Sequence, residues 1–372
     1  MDKIRILQVG MTDNIGGMET YLMEQYRHLD HSKITYDFVN ITADQSIVFE
    51  KEIRHNGNFI FNICRRSKNP LKHYYQWWKL LKKERKNYTA IVLNVCHLYY
   101  VFPLFIGKIM GIHRRIIHSH NNGDEVSMGI MRNFLVWINR KIMFYSATDF
   151  WACSKVAGKW MFKNKEFIII HNAICTDSFA FNEAIRKKKR RELGLDNKFV
   201  IGHVGRFSYQ KNHEFLIRVF YELRKKKNNA CLLLVGGAAE NDYYFLNIKK
   251  MVDKLELNDY VYFLGMRNDV NELMQAMDCF VFPSYFEGFA IVGIEAQTAG
   301  LPCFFSENII KEVAITNLVH FCNLSDVQKW IELILKYTII QRINMKSAVV
   351  SAGYDIENEV KKIEQLYLKT SR

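Results

Sequence analysis

CFVFPSYFEGFAIVGIEA (Cys279–Ala296) passes from a short apolar run, Cys279–Phe282, through a Pro-Ser turn into a second apolar stretch of helical character. That order reads as strand, turn, helix, the repeating unit of a parallel α/β sheet. In an open sheet of this kind the turn lies at the carboxyl edge of the strands, where ligands settle. The helix behind it offers free N–H groups and the positive end of its dipole to an anion such as phosphate. Glu287 stands in the turn and Glu295 two turns into the helix. A carboxylate at Glu295 can accept hydrogen bonds from ribose hydroxyls, and one at Glu287 from the hydroxyls of a sugar. Taken singly, each is read more readily as a capping acid or a surface residue.

The same rhythm extends in both directions. IRILQVG (Ile4–Gly10) is followed by a helical pattern from Met18 to Leu29, then by strand candidates at Tyr36–Ile41, Ala90–Val95, Arg114–His120, Asp149–Ser154 and Phe167–Ala173. It restarts with FVIGHVG (Phe199–Gly205), Cys231–Gly237, Tyr260–Gly265, Cys279–Ser284 and Pro302–Ser306. A chain of 372 residues exceeds what one core ordinarily serves. The pattern predicts a first α/β domain over 1–175, a linker near Ile174–Asn182, a second over 176–350, and a C-terminal helix within 351–372 that packs back on the first domain. The basic run Arg186–Arg191 is read as a solvated helix opening the second domain, with a nucleic-acid tract as the rival. No solenoid repeat or low-complexity tract is visible.

Composition sets the limits. Hydrophobic residues at 49% and charged residues at 24% describe a globular chain with a large core and exclude a disordered one. With 52 basic and 38 acidic residues the net charge is +14, which favours an anionic partner: nucleic acid, a phosphorylated substrate or anionic lipid. Cys64, Cys96, Cys153, Cys175, Cys231, Cys279, Cys303 and Cys322 are scattered singly, without zinc-ligand spacing, and are expected to be reduced thiols of a cytoplasmic protein. MDKIRILQVG runs straight into a strand and lacks the pattern of a signal peptide. The apolar run Leu98–Ile112 is shorter than the roughly 20 residues a spanning helix needs.

Three further motifs fall at strand ends. HVGRFSYQKN (His203–Asn212) sets Arg206 and Lys211 on one short loop, which suits a diphosphate better than a single carboxylate, with solvated loop charges as the plain alternative. VGMTDNIGGMETYLM (Val9–Met23) puts Gly16 and Gly17 at a strand-to-helix turn, where backbone can approach a ligand; it lacks the G-x-G-x-x-G of a dinucleotide site. His118 and His120 close a strand and, two apart, point to one face; satisfied structural histidines are the competing reading. HYYQWWKLLKKERKNY (His73–Tyr88) mixes aromatics with Lys79, Lys82, Lys83, Arg85 and Lys86, fitting a membrane interface or an ordinary amphipathic helix over the first sheet.

The Glu287…Glu295 pair, continued by AQTAGLP (Ala296–Pro302), resembles the Glu-x7-Glu signature of family-4 retaining glycosyltransferases with the GT-B fold, two facing Rossmann-like domains with the donor in the interdomain cleft. The resemblance covers nearly the whole chain, its motifs in the expected order. It implies that Glu295 binds the ribose and Glu287 faces the transferred sugar, next to Gly288 and Phe289. The family's usual Gly is replaced by Ala290, a methyl that narrows the sugar pocket. Arg206 and Lys211 match the loop that neutralises the leaving diphosphate, and Gly16-Gly17 matches the G-G-x-E loop near the donor. HSHN resembles the version in bacterial exopolysaccharide and capsule enzymes, which makes His120, with His118 second, the contact to the donor sugar. YFLGMRND (Tyr262–Asp269) resembles the loop whose backbone near Arg267 meets the nucleobase, uracil by family expectation.

What the resemblance implies is transfer of a hexosyl unit from a nucleoside-diphosphate sugar, a UDP-hexose, to an acceptor hydroxyl with retention. It implies no cofactor and no metal. The acceptor it suggests is a carbohydrate or lipid-linked oligosaccharide of exopolysaccharide or capsule synthesis, met by a cytoplasmic enzyme peripheral to the inner membrane through residues 73–88. The alternatives left open are a nucleotide-sugar epimerase of the same architecture and a basic nucleic-acid-binding protein; against the latter, no reader motif is found.

Overall fold

The computed structural model describes residues 3–42, 45–121, 123, 129–238, 241–338 and 341–369. The chain divides into two compact units, Met1–Ala173 with Ile356–Arg372, and Ile174–Asp355.

The first unit is built on seven parallel strands: β1 (Ile4–Val9), β2 (Ile34–Asn40), β3 (Ile60–Asn62), β4 (Ala90–Val95), β5 (Arg114–Ser119), β6 (Asp149–Ala152) and β7 (Ile168–Ile169). Their order across the sheet is β3-β2-β1-β4-β5-β6-β7. The chain winds outward from β1 through β2 to β3, then returns to the other side of β1 and winds outward again. Because crossovers between parallel strands are right-handed, reversing the direction of winding puts helices on opposite faces. Helix Gly17–His28 therefore covers one face, and helices Pro70–Glu84, Phe102–Ile109 and Ile130–Ser146 form a layer on the other. With both faces covered, β2 and β4 are buried at every residue; β4 reads as a nearly continuous apolar run, while the buried Asp37 of β2 accepts from Arg5 and Tyr88. The terminal helix Ile356–Leu368 packs on helix Gly17–His28, with Glu364 accepting from the Asp30 amide at 2.7 Å.

The second unit repeats the plan with six parallel strands: β8 (Phe199–Val204), β9 (Ala230–Val235), β10 (Val261–Gly265), β11 (Cys279–Phe282), β12 (Cys303–Ser306) and β13 (Val319–Cys322), in the order β10-β9-β8-β11-β12-β13. Winding reverses between β8 and β11. One face of its core gathers Ile201, Leu232, Leu234 and Val281 under Phe215, Phe220 and Trp330.

Several expectations need correcting. The basic run does form a helix, Glu183–Glu192, capped by Asn182, but it is solvated only in part: Lys189 and Arg190 are buried. Arg190 donates to the carbonyls of Ala276, Leu195 and Lys198 and lies 3.2 Å from Asp278, while Lys189 meets Asp269 and Glu272 at 3.0 and 2.7 Å. These cations are spent inside the unit, tying this helix to the amino end of β11 and to helix Val270–Ala276 before it. Part of the expected linker is itself ordered as a short helix, Thr176–Phe179. Residues 351–355 stay with the second unit, because Asp355 bridges Ile174 and accepts from the Thr176 hydroxyl at 2.6 Å. Strands β3 and β13 were not marked by the sequence at all.

Arg190→Ala, which strips Asp278 and three carbonyls of a buried donor, is expected to destabilise the second unit by about 3 kcal/mol in chemical denaturation. Arg191→Ala, on the exposed side of the same helix, should stay within about 0.5 kcal/mol of wild type.

Candidate functional site

Where winding reverses, the turns after the two central strands part in opposite directions and leave a crevice at the carboxyl edge of the sheet. In the second unit those turns are 205–212 after β8 and 283–290 after β11, the two loops marked in the sequence. They are stitched together. The Gln210 side chain donates to the Phe286 carbonyl at 3.0 Å, its own carbonyl accepts from the Tyr285 amide at 2.9 Å, and Asn212 donates to the Pro283 carbonyl at 3.2 Å. Tyr209 stacks on Tyr285 with ring centroids 4.7 Å apart. Asn212 has φ of 55°, a left-handed conformation that asparagine tolerates better than most residues, which suits it to end this loop.

Lys211 Nζ lies 2.8 Å from Glu287 Oε1 and 4.5 Å from the centroid of Phe282, in a pair that is largely buried. Arg206 is exposed and takes no side-chain partner among the described residues. The loop therefore carries one compensated cation and one uncompensated one. Beside it, helix Ile291–Thr298 begins at Ala290 with no side-chain cap and no acid in its first turn. The amides of Gly288, Phe289 and Ala290 find no acceptor among the described residues. A cation and three free donors at a helix start form an anion-binding arrangement. Glu295 lies on this helix, four residues beyond its start.

Gly236, at the end of β9, has φ of 153°, and a Cβ there would fall on the Gly205 carbonyl, so the turns after β8 and β9 touch backbone to backbone. Gly236 in turn donates to the Gly265 carbonyl at 2.9 Å, linking the turn after β10. Arg267 in that turn is held by Asp269 through two bonds of 2.7 Å.

The remaining predicted residues lie in the first unit. Gly16 caps helix Gly17–His28 without a side-chain bond, and Glu19, buried in its first turn, accepts from the Thr12 hydroxyl at 2.7 Å. His118 and His120 are both buried, with ring centroids 4.0 Å apart. His120 Nε2 lies 3.1 Å from Asn94 Oδ1, and Nδ1 lies 3.1 Å from Asn172 Oδ1. The Asn94 Nδ2 donates to Gln8 and to the Val9 carbonyl, which fixes its oxygen toward His120, so Nε2 carries the proton and Nδ1 of the neutral ring accepts, for which the Asn172 amide turns its nitrogen to the ring. With both nitrogens held, a sugar hydroxyl reaches the ring only by displacing Asn94 or Asn172. Neither asparagine was singled out in the sequence; they stand 26 and 52 positions from His120, and nothing local links them.

Burial pushes His120 and His203 down to about 4, and His118 and His213 well below the ordinary histidine range. These rings are neutral at pH 7. His203 donates from Nδ1 to the Val281 carbonyl at 2.9 Å and packs against His213, under the Arg206–Lys211 loop.

Residues 185–354 match the family model of the glycosyl transferases group 1. The match spans most of the second unit. The chain is 29% identical to the glycosyltransferase EpsF of Bacillus subtilis over 98% of this chain and 96% of that one. It is 32% identical over 54% of its length to the Escherichia coli UDP-Gal:alpha-D-GlcNAc-diphosphoundecaprenol alpha-1,3-galactosyltransferase, covering 53% of that enzyme. Among solved structures, HepE of Anabaena in complex with UDP superposes with a TM-score of 0.80 at 18% identity, over 98% of this chain and 100% of that one. WaaG, of lipopolysaccharide biosynthesis, superposes with a TM-score of 0.68 at 16% identity, over 99% and 100%. The chain thus has the GT-B fold.

Histidines depressed by burial make stability depend on pH. Between the unfolded value near 6.5 and the folded value of about 4, the unfolded chain binds protons that the folded one refuses, so stability falls as pH drops through that window. Each of His120 and His203 accounts for roughly 3 kcal/mol when fully expressed. Melting temperature should decline steadily from pH 6.5 toward 4, and His203→Gln should flatten that decline.

Proposed function

We propose that this chain moves a hexosyl unit from a UDP-hexose to an acceptor hydroxyl with the anomeric configuration retained. The observation that carries the reading is the meeting of exposed Arg206, the Lys211–Glu287 pair and the free amides of residues 288–290 at the winding reversal of the second sheet. The donor's diphosphate lies against Arg206, Lys211 and the start of helix Ile291–Thr298, Glu295 accepts from the ribose hydroxyls, and backbone near Arg267 meets the base. Gly16, Gly17, His118 and His120 border the sugar. Held by Asn94 and Asn172, His120 acts as a fixed neutral wall. Support for a uridine donor comes from HepE, whose structures hold UDP, UDP with glucose, and UDP-glucose.

In the reaction the bond between the anomeric carbon and the β-phosphate oxygen breaks, and its electron pair stays on the phosphate. Arg206, Lys211 and the helix amides stabilise that growing charge from fixed positions, which requires no reorganisation at the moment of departure. The acceptor oxygen bonds to the anomeric carbon on the face the diphosphate leaves, and the departing phosphate takes the acceptor proton. Lys211 arrives already compensated by Glu287; as the diphosphate seats, Lys211 turns to it and Glu287 is released toward the sugar hydroxyls. The relative acting on a diphosphoundecaprenol-linked sugar favours a lipid-linked acceptor in polysaccharide synthesis, met at a membrane surface by residues 73–88.

Arg206→Ala and Glu295→Ala are each expected to weaken UDP binding by about tenfold or more in calorimetry, since each removes a charge-assisted contact. Melting temperatures should stay near wild type. Absence of UDP binding by the folded wild type would overturn the reading. For the mechanism, NMR of the first-formed product should show the donor's anomeric configuration, and a sugar trapped covalently on Glu287 would refute front-face transfer.

A further inference from the structure

A helix that covers a sheet ordinarily turns its apolar stripe inward and its polar face to water. Helix Ile130–Ser146 in the first unit does otherwise. Val136, Asn139, Met143 and Ser146 face the core, while Ile130, Met131, Phe134, Trp137 and Tyr145 point outward, with Ile130 and Met131 exposed at 91% and 85%. The neighbouring helices continue the surface through Ile109 on one and Leu71, Tyr75 and Trp78 on the other. Of 21 large hydrophobic side chains exposed among the described residues, 12 lie on these three helices, so the apolar surface is concentrated and not scattered.

Charge says what kind of partner covers it. The three helices and their flanks, residues 63–87, 97–113 and 129–146, carry thirteen Lys and Arg and a single acid, Glu84. Their excess of twelve positive charges nearly equals the +14 of the whole chain. Glu84 is itself engaged, by Lys83 at 3.3 Å and Asn87 at 2.7 Å. Cations also lie over outward aromatic rings: Lys82 sits 4.5 Å from Trp78, Lys108 3.2 Å from Tyr145 and Lys141 5.8 Å from Trp137. Long basic side chains beside Trp and Tyr suit a boundary where apolar rings enter hydrocarbon and ammonium groups stay at the headgroups. Among the described residues no helix is long and apolar enough to cross a membrane.

We infer that this three-helix face seats on an anionic bilayer, with helix Ile130–Ser146 supplying the apolar anchors and helix Pro70–Glu84 much of the positive charge. This goes beyond the reading of residues 73–88 alone: His73, Trp77 and Leu81 of that stretch are buried against the first unit's core, and the larger apolar surface belongs to a helix that the sequence did not mark. It does not depend on which sugar or acceptor the chain uses. The second copy and the nucleic acid are the competing occupants.

The test is co-sedimentation of the full chain with vesicles of phosphatidylcholine alone and with about one third phosphatidylglycerol. Binding is expected only to the anionic vesicles and should fall as salt rises. A Phe134→Ser/Trp137→Ser pair and a Lys79→Glu/Lys86→Glu pair should each weaken it by roughly tenfold, while UDP affinity and melting temperature stay at wild-type values. UDP binding reads the nucleotide site independently, so loss of one function is distinguishable from loss of the other. Failure to bind anionic vesicles, or binding that neither pair weakens, overturns the inference. So does self-association abolished by the serine pair, or affinity for RNA exceeding that for vesicles.

Discussion

Everything at the candidate site follows from one constraint: a parallel sheet must be covered on both faces, and its crossovers turn one way. The chain meets that constraint twice by winding outward, returning to the middle and winding outward again. The return leaves two adjacent strands whose following turns diverge, β1 and β4 in the first unit, β8 and β11 in the second. Backbone amides at that edge lack sheet partners, and a helix beginning there has none of its own for its first turn. The crevice is thus a by-product of connectivity, and side chains only specialise it.

How the second unit specialises it is a matter of rigidity. Gly236 lets the turn after β9 press against the Gly205 carbonyl, and Gln210 and Asn212 tie the turn after β8 to the turn after β11. The loops bearing Arg206, Lys211 and Glu287 are therefore braced by backbone bonds that do not involve those three side chains. Far from that edge, at the amino end of β11, Arg186, Arg190 and Arg342 crowd around Asp278 and the carbonyls of Gln275, Ala276 and Met277. Burial, with the neighbouring Arg186 charge second, lowers Arg342 to about 9.

Much of this was legible in the sequence. Strands buried on both faces announce themselves as runs such as AIVLNV and CLLLV, and the loops after β8 and β11 could be read because their chemistry is contiguous. What failed to show was anything that depends on partners far along the chain. Lys189 and Arg190 look like surface charge until Asp269, Glu272 and Asp278 are brought to them. His120 looks like an available ligand until Asn94 and Asn172 close on its two nitrogens. β3, with three residues, and β13, with His320 in its middle, are too short or too mixed for a periodic signal. The outward apolar face of helix Ile130–Ser146 was invisible because a stripe in sequence does not tell which side faces the core.

The Lys211–Glu287 pair has a consequence for selectivity. A loop with two naked cations would attract any small anion in the cell and spend much of its time occupied by inorganic phosphate. Pairing one of them internally leaves a shallow electrostatic trap that a single-charged intruder gains little by entering. Only a ligand with enough charge to displace the carboxylate, and with hydroxyls to give that carboxylate something new to hold, recovers the cost of separating the pair. On the proposed reading the ion pair weakens the hold of a lone small anion and yields to a diphosphate, the more readily when that diphosphate brings a sugar with it.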